Sequence, residues 1–451
     1  MMGERLVRQE PLFYSFSLED HVPSDHLLRA IDRFVELSDI RRHLEPYYSA
    51  IGRPSVDPEL MIRMLLIGYC CGIRSERRLC QEVHLNLAYR WFCRLGLSGA
   101  VPDHSTFSKN RHGRFRDCDL LRKLFEASVR RCMAEGIVAG EGFAVDASMV
   151  RADAHRQRGM VPDAAFDPQD ASRAVAEYLA VLDDAAFGAA TDVVPKFVSP
   201  VDPAARWTAA AGGPACYAYC VNYLIDLKCA VIIDVEPTTA VRQAEVTAAK
   251  RMLTRAAATF DVAPERLAAD TGYGSAEMLG WLVEDQGIEP HIPVFDKSER
   301  KDGSFARDDF AYDHAGDAYV CPAGARLTTT GTLVNDGATL IYRASTLACG
   351  TCALKPRCCP NTPARKVPRS IHEGARDMAR DIARTDAYVV SRRQRKKIEM
   401  LFAHLKRILK LDRLRLRGPC GARDEFHLAA AAQNFRKLAK LIQSPGPIPA
   451  T

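Results

Sequence analysis

The sequence predicts a mixed α/β protein with an all-α N-terminal segment, a sheet flanked by helices, and a cysteine-rich insertion within the α/β part. Three observations predict it. Apolar residues recur at helical spacing up to about Glu135. From Gly140 onward, strand-like and helical patterns follow in the order strand, two strands, helix, strand, helix, strand. After that last strand the apolar runs shorten, and cysteines and turn residues take over up to about residue 385.

A length of 451 residues suggests two to four structural units. With 47% hydrophobic and 26% charged residues, the composition favours neither disorder nor a membrane protein. The N-terminal MMGERLVRQEPLFYSF lacks the apolar run of a signal peptide, and no stretch reaches transmembrane length. The expected location is therefore the cytoplasm, with no membrane partner. The net charge of +6 is modest but uneven. Between Arg392 and Arg417 stand eleven Lys and Arg against two acids, Glu399 and Asp412. That excess points to a polyanionic partner, nucleic acid first, and hence to the nucleoid.

In the helical part, Pro58 at a helix start, apolar Met61, Met64 and Leu65, and Gly72 after the end describe one amphipathic helix. Ser75 can cap the next, which carries Leu79, Val83 and Leu87. PDHSTFSKNR (Pro102–Arg111) opens another helix, capped by Asp103 or Ser105. Lys109 and Arg111 project from it and suit phosphate contacts, as a helix-turn-helix or as part of a plain helical bundle.

In the α/β part, GFAVDASMV (Gly142–Val150) reads as a strand running through Asp146, followed by a polar, partly helical insertion over 151–214. Cys216–Leu227 and Cys229–Pro237 read as two antiparallel strands and Glu245–Ala258 as a helix. Leu267–Ala269 is a short strand ending at Asp270, with the Gly-rich turn TGYG after it. Ser275–Asp285 is helical, and His291–Phe295 is a further strand. The basic helix RRQRKKIEMLFAHLKR (Arg392–Arg407) carries Glu399, and Glu425–Ile442 forms a final helix.

At 3.6 residues per turn, Arg395, Glu399 and Lys406 share one helix face. Asp146 inside an apolar strand and Asp270 at a strand end supply two more carboxylates. Three hard oxygen donors can hold two Mg²⁺ or Mn²⁺ ions about 4 Å apart, which activate an attacking oxygen and stabilise the leaving one. The glycines after Asp270 leave room for a substrate backbone to approach. Asp153, in the turn that follows, is a weaker candidate ligand with a structural role favoured.

These motifs resemble the DDE transposases of bacterial insertion sequences. Leu12–Asp32 and Ser55–Leu97 are similar to that family's N-terminal helical segment, VDASMVRADA (Val145–Ala154) to its first-Asp motif and ADTGYGS (Ala269–Ser275) to its second. The Glu region follows the pattern Tyr-x2-Arg-x3-Glu-x6-Lys, with Arg395, Glu399 and Lys406 in register and Arg392 at the Tyr position. Tyr388, one turn earlier, is a candidate substitute. The resemblance implies a ribonuclease-H-like mixed sheet and metal-ligand roles for Asp146, Asp270 and Glu399. It also implies DNA-backbone contacts for Arg395 and Lys406, to which the neighbouring Arg392 and Lys396 are joined, and a homodimer that holds two element ends. It divides the chain into a helical DNA-binding or dimerisation domain over 1–135, the first part of the core over 136–285, a final strand with the insertion over 286–385, and the last part of the core over 386–451.

The fifteen cysteines, in a chain without an export signal, argue against a disulfide framework. Most read as small buried hydrophobes. One group differs: Cys321-Pro-x-Gly, then Cys349-x2-Cys352, then Cys358-Cys359. Cys321, Cys349, Cys352 and one of the last pair, here Cys358, can build a tetrahedral structural zinc site, against the alternative of reduced, unmetallated thiols.

The leading expectation is thus a transposase that binds the terminal inverted repeats of its element, then cuts and rejoins double-stranded DNA. An inactive DNA-binding regulator on the same fold is the alternative, disfavoured by the intact acids. A zinc hydrolase is disfavoured because the twelve histidines show no catalytic pairing.

Overall fold

Six strands build the main sheet of the computed structural model: β1 (Gly142–Arg151), β2 (Arg206–Thr208), β3 (Cys216–Asp226), β4 (Ile232–Thr239), β5 (Arg266–Ala268) and β6 (Glu289–His291). The structure describes residues 16–49, 51, 55–155, 157–160, 172–187, 195, 197–209, 213–296 and 302–442. β3 lies antiparallel to β1, with Asp146 opposite Tyr223. β4 and the short β2 both pair antiparallel with β3. On the other side of β1, β5 and then β6 run parallel to it. All but the first residue of β3 are buried, so its apolar run is broken only by Asn222 and by Asp226 at its end.

The strand order agrees with the expectation, with shifts at the ends. The last strand is Glu289–His291 rather than 291–295, and Trp281–Asp285 closes its helix as a π-helical turn. The C-terminal helix begins at Gly418, seven residues before Glu425, with Pro419 in its first turn. Within the 151–214 insertion, helix Arg173–Leu179 buries Ala174 and Val175, and β2 joins the sheet. Residues 161–171, 188–194 and 210–212 of it lie outside the described residues, as do Leu12–Ser15 of the N-terminal motif.

The N-terminal helices share a core with the sheet. Buried side chains from Leu28 to Ile137 form one continuous cluster with those of β1, β3, β4 and the C-terminal helix. That helix (Gly418–Leu441) is buried along nearly all its faces, around the apolar run Leu428–Ala432, and takes Asp424, Glu425, His427, Gln433 and Asn434 inside with it. It is pinned to β4 by Asn434, which exchanges hydrogen bonds of 3.0 and 2.9 Å with Ile232 N–H and C=O. Arg122, from helix Leu120–Ala134, meets the buried Asp234 of β4 at 2.5 Å, and Arg255 meets it at 2.7 Å. Gly72, after helix Pro58–Cys70, takes φ +68° and lies so close to Ile408 C=O that a Cβ would stand 2.6 Å from it. The N-terminal helices and the end of the Glu399 helix therefore touch backbone to backbone.

Between residues 311 and 370 lies a second six-stranded antiparallel sheet with the order β10-β11-β9-β8-β7 and β12 on β11. Its strands are β7 (Ala311–Asp313), β8 (Ala318–Val320), β9 (Arg326–Thr328), β10 (Leu333–Val334), β11 (Thr339–Ala344) and β12 (Lys366–Ser370). It encloses its own small core of Phe305, Phe310, Tyr319, Leu327, Tyr342 and Val367. The sequence reading expected an irregular cysteine-rich insert here. Strands of two to six residues joined by left-handed turns, such as Asn335 and Asp336, carry too few alternations to stand out as strands.

Candidate functional site

The register between β1 and β5 sets the site. Ala144 of β1 pairs in parallel with Ala268 of β5. Asp146, within β1, and Asp270, two residues past the end of β5, each stand two residues beyond this pair. Burial of β1 is complete to Val145 and becomes partial from Asp146, where β5 has ended and the sheet opens. Asp270 then caps a tight turn, its Oδ1 accepting the Gly272 N–H at 2.7 Å.

The third acid comes from helix Asp386–Arg407, which crosses β1, β5 and β6. Ile398, Leu401, Phe402 and Leu405 bury one face of it, with Phe402 stacked on Tyr223 at 5.0 Å. Glu399 lies off that face and is 57% exposed. Between Asp146 and Glu399 stands Arg395, whose Nη1 is 3.2 Å from Asp146 Oδ2 and whose Nη2 is 3.6 Å from Glu399 Oε1.

Burial pushes the Asp146 carboxyl up to about 6, helped by the negative charges of Asp270 and Glu399 and opposed by the Ala147 N–H and Arg395. The three expected acids are thus close enough to feel one another. Hard oxygen donors with a shared excess of negative charge suit a divalent cation. Among the described residues, however, no three His, Cys, Asp or Glu side chains converge tightly enough to hold an ion. In this structure the guanidinium of Arg395 neutralises two of the acids.

The other expected contact residues divide into exposed and buried. Arg392, Lys396 and Lys109 are exposed. Lys406 is half-buried and donates to Ser148 Oγ of β1 at 2.8 Å, so its ammonium faces the sheet. Arg111 does not project as expected: it is buried and pairs with Glu76 at 2.5 Å, because its face of helix Ser105–His112 packs against the helix that Ser75 caps. Asp153 pairs with Arg413 and Arg417 at 2.9 Å each, tying the turn after β1 to the segment between the last two long helices. Tyr388 rests near His291 of β6, with ring centroids 6.3 Å apart.

The glycines after Asp270 serve the protein's own packing rather than an open approach. A Cβ on Gly274 would stand 2.0 Å from Pro293 C=O, and one on Gly272 would stand 2.7 Å from Asp270 Oδ1. Sequence reasoning missed Ser148, two residues past Asp146 on β1, which takes the Lys406 hydrogen bond; nothing local marks a strand serine as the partner of a distant lysine.

In the insertion, Cys321, Cys349, Cys352 and Cys358 line a single cavity of about 390 Å³ together with Cys359. All five are free thiols. Burial first, and then the neighbouring Cys359, push the Cys358 thiol up to about 11. Soft sulfur donors suit zinc chemically, but among the described residues no three of these thiols converge tightly enough to hold an ion.

Two stretches of the chain match known families. Residues 16–113 match one described as a transposase domain (DUF772), and residues 320–439 match one described as a transposase DDE domain. No curated protein and no solved structure matches the chain. Among the described residues no helix is long and apolar enough to cross a membrane.

Proposed function

From the premise that the chain is a DDE transposase of an insertion sequence, we propose that it binds the terminal inverted repeats of its element and performs strand cleavage and strand transfer at Asp146, Asp270 and Glu399. One observation carries the reading. Asp146 and Asp270 each stand two residues beyond the parallel pair Ala144–Ala268, and Arg395 links Asp146 to a third acid, Glu399, on the helix laid across. Three antiparallel strands continued by two parallel ones, with that helix laid across, support a ribonuclease-H-like core. The division of the chain at about residues 135, 285 and 385 is proposed with it, the first segment engaging DNA or a second protomer.

Asp146, Asp270 and Glu399 would hold two Mg²⁺ or Mn²⁺ ions, which when bound supply a polarised attacking oxygen and a stabilised leaving oxygen. In cleavage, a water oxygen attacks phosphorus and the 3′-oxygen leaves with a proton. In transfer, that 3′-hydroxyl attacks a phosphodiester of target DNA, and one phosphodiester replaces another. For the acids to close on cations, Arg395 must leave Asp146, and its freed guanidinium is then placed to take a phosphate. Exposed Arg392 and Lys396 extend the basic face along the same helix, and exposed Lys109 adds a contact from the N-terminal helices. The cysteine cavity would hold a structural zinc ion through Cys321, Cys349, Cys352 and Cys358 or Cys359, stapling a small sheet with a small core.

The test is Mg²⁺-dependent nicking of a duplex that carries the element's terminal repeat. Asp146→Asn, Asp270→Asn and Glu399→Gln are each expected to abolish nicking while repeat binding remains measurable. A variant that still cleaves removes its residue from the site.

A further inference from the structure

A groove of about 710 Å³ opens on another side of the Glu399 helix, between it, the turn joining β3 to β4, the C-terminal helix and helix Leu27–Asp32. Lys397, Met400 and His404 line it, roughly 100–160° round the helix from Glu399. Leu27, Ala30, Leu401 and Ala439 give it apolar surface, and Met400 and Leu441 remain 72% and 45% exposed.

The same groove is lined by Lys228, Lys397, Arg436, Lys437 and Lys440 against a single acid among the described residues, Asp25. The donors of these cations go to neutral acceptors. Lys397 Nζ donates to the carbonyls of Leu227 and Lys228 at 2.6 and 2.9 Å. Lys437 Nζ donates to those of Cys229 and Ala230. Arg436 Nη1 donates to Cys70 C=O at 2.8 Å, and Lys228 Nζ to Gly136 C=O at 3.1 Å. Four successive carbonyls of the β3–β4 turn thus fix two ammonium groups without cancelling their charge. None of the five cations meets a carboxylate among the described residues. Burial, and after it the neighbouring Lys397 and Lys440, bring the Lys437 ammonium down to about 8.

Apolar surface ringed by fixed positive charge is complementary to a ligand that carries both apolar groups and carboxylates. A DNA backbone brings charge but nothing to cover Met400 and Leu441, and no Phe, Tyr or Trp lines the groove for bases to stack on. The chain's own ends lack the charge. Residues 443–451 hold no Asp or Glu, and residues 1–15 hold Glu4 and Glu10 against Arg5 and Arg8. A second copy brings a further net charge of +6.

We infer that this groove docks an acidic amphipathic segment of another protein, its apolar side chains against Leu27, Met400 and Leu441 and its carboxylates on Lys397, Lys437 and Lys440. Such a partner bridges the N-terminal helices and the Glu399 helix while leaving the face that bears Glu399 open.

Fluorescence anisotropy on the full-length protein tests this with a labelled synthetic peptide about four helical turns long. The peptide carries Leu at i, i+3, i+4 and i+7 and Glu between, and a scrambled peptide of the same composition is the control. The wild type is expected to bind the ordered peptide at least about tenfold more tightly than the scrambled one. Met400→Glu and Lys440→Glu, both at exposed positions, are each expected to weaken it about tenfold with unchanged melting temperatures. Equal affinity for the two peptides, or an affinity within about twofold of the wild type in either folded variant, overturns the inference. Short single- or double-stranded DNA that displaces the peptide, and binds both variants as weakly as the peptide does, makes the groove a nucleic-acid surface and overturns it as well. Self-association of the wild type that Met400→Glu abolishes overturns it too, since the occupant is then a second copy.

Discussion

Arg395 Nη1 lies 3.2 Å from Asp146 Oδ2, joining a helix to a strand 249 residues earlier in the chain. The same guanidinium reaches Glu399 one helical turn on, at 3.6 Å. Without cations, one positive side chain therefore holds the two acids that bound cations would need. On the proposed reading, Arg395 and a divalent ion would compete for the same oxygens.

Removing that competitor should separate binding from chemistry. Arg395→Ala is expected to bind Mn²⁺ several-fold more tightly than the wild type in calorimetry, since no ion pair must break first. Its strand cleavage should nevertheless fall, because no guanidinium is left at this position to meet phosphate. Unchanged Mn²⁺ affinity would show that the ion pair does not oppose the cation.

Asp146 makes the cation-free protein sensitive to pH. Its folded carboxyl titrates near 6, above the usual 3.8, so between those values the folded state binds more protons than the unfolded one. Its contribution therefore lowers stability as pH rises through this window, and the cost is fully present above about pH 6. Asp146→Asn should raise cation-free stability at pH 7.5 by about 1–3 kcal/mol and flatten the profile between pH 4 and 6. Denaturant unfolding at several pH values measures both, and a variant less stable than the wild type at pH 7.5 contradicts the prediction.

Arg111 and Lys109 differ in role although they are two residues apart. Arg111→Ala breaks a buried pair with Glu76 and should cost about 3 kcal/mol of stability. Lys109→Ala, at an exposed position, should leave stability within about 0.5 kcal/mol while weakening repeat binding and reducing its salt dependence. Thermal melts and salt-series binding assays on both variants check this. An unchanged salt slope for Lys109→Ala removes Lys109 from the interface.

For the cysteine cavity, elemental analysis of purified protein should find about one zinc per chain. Cys349→Ser and Cys352→Ser should each lose it and raise protease sensitivity within 311–370. Comparing Cys358→Ser with Cys359→Ser identifies the fourth ligand. Folded, zinc-free wild-type protein with reactive thiols would show instead that the sheet stands on its own core.

Local periodicity in the chain was enough to reveal most elements. The apolar run into Asp146, the short apolar run before Asp270 and the helical spacing of Arg395 and Glu399 each lie within a few residues, so the sequence alone reveals them. Three acids on two strands and a helix were legible in this way, as were the helices opened by Pro58 and Ser75. The second sheet was not, because its strands are too short to show a period. Nor were the partners of individual charges. Arg111 and Lys406 carry the same charge in the sequence whether they meet DNA, Glu76 or Ser148.

By itself, then, the sequence singled out the candidate residues and the kind of element on which most of them sit. Only the tertiary structure decided the rest: that β1 and β5 pair in parallel two residues before each aspartate, that Arg395 bridges two acids and that Lys406 turns to the sheet. The physical reason is range. Backbone propensity and hydrophobic period act over a turn or a strand, whereas register and ion pairing depend on which distant surfaces bury each other.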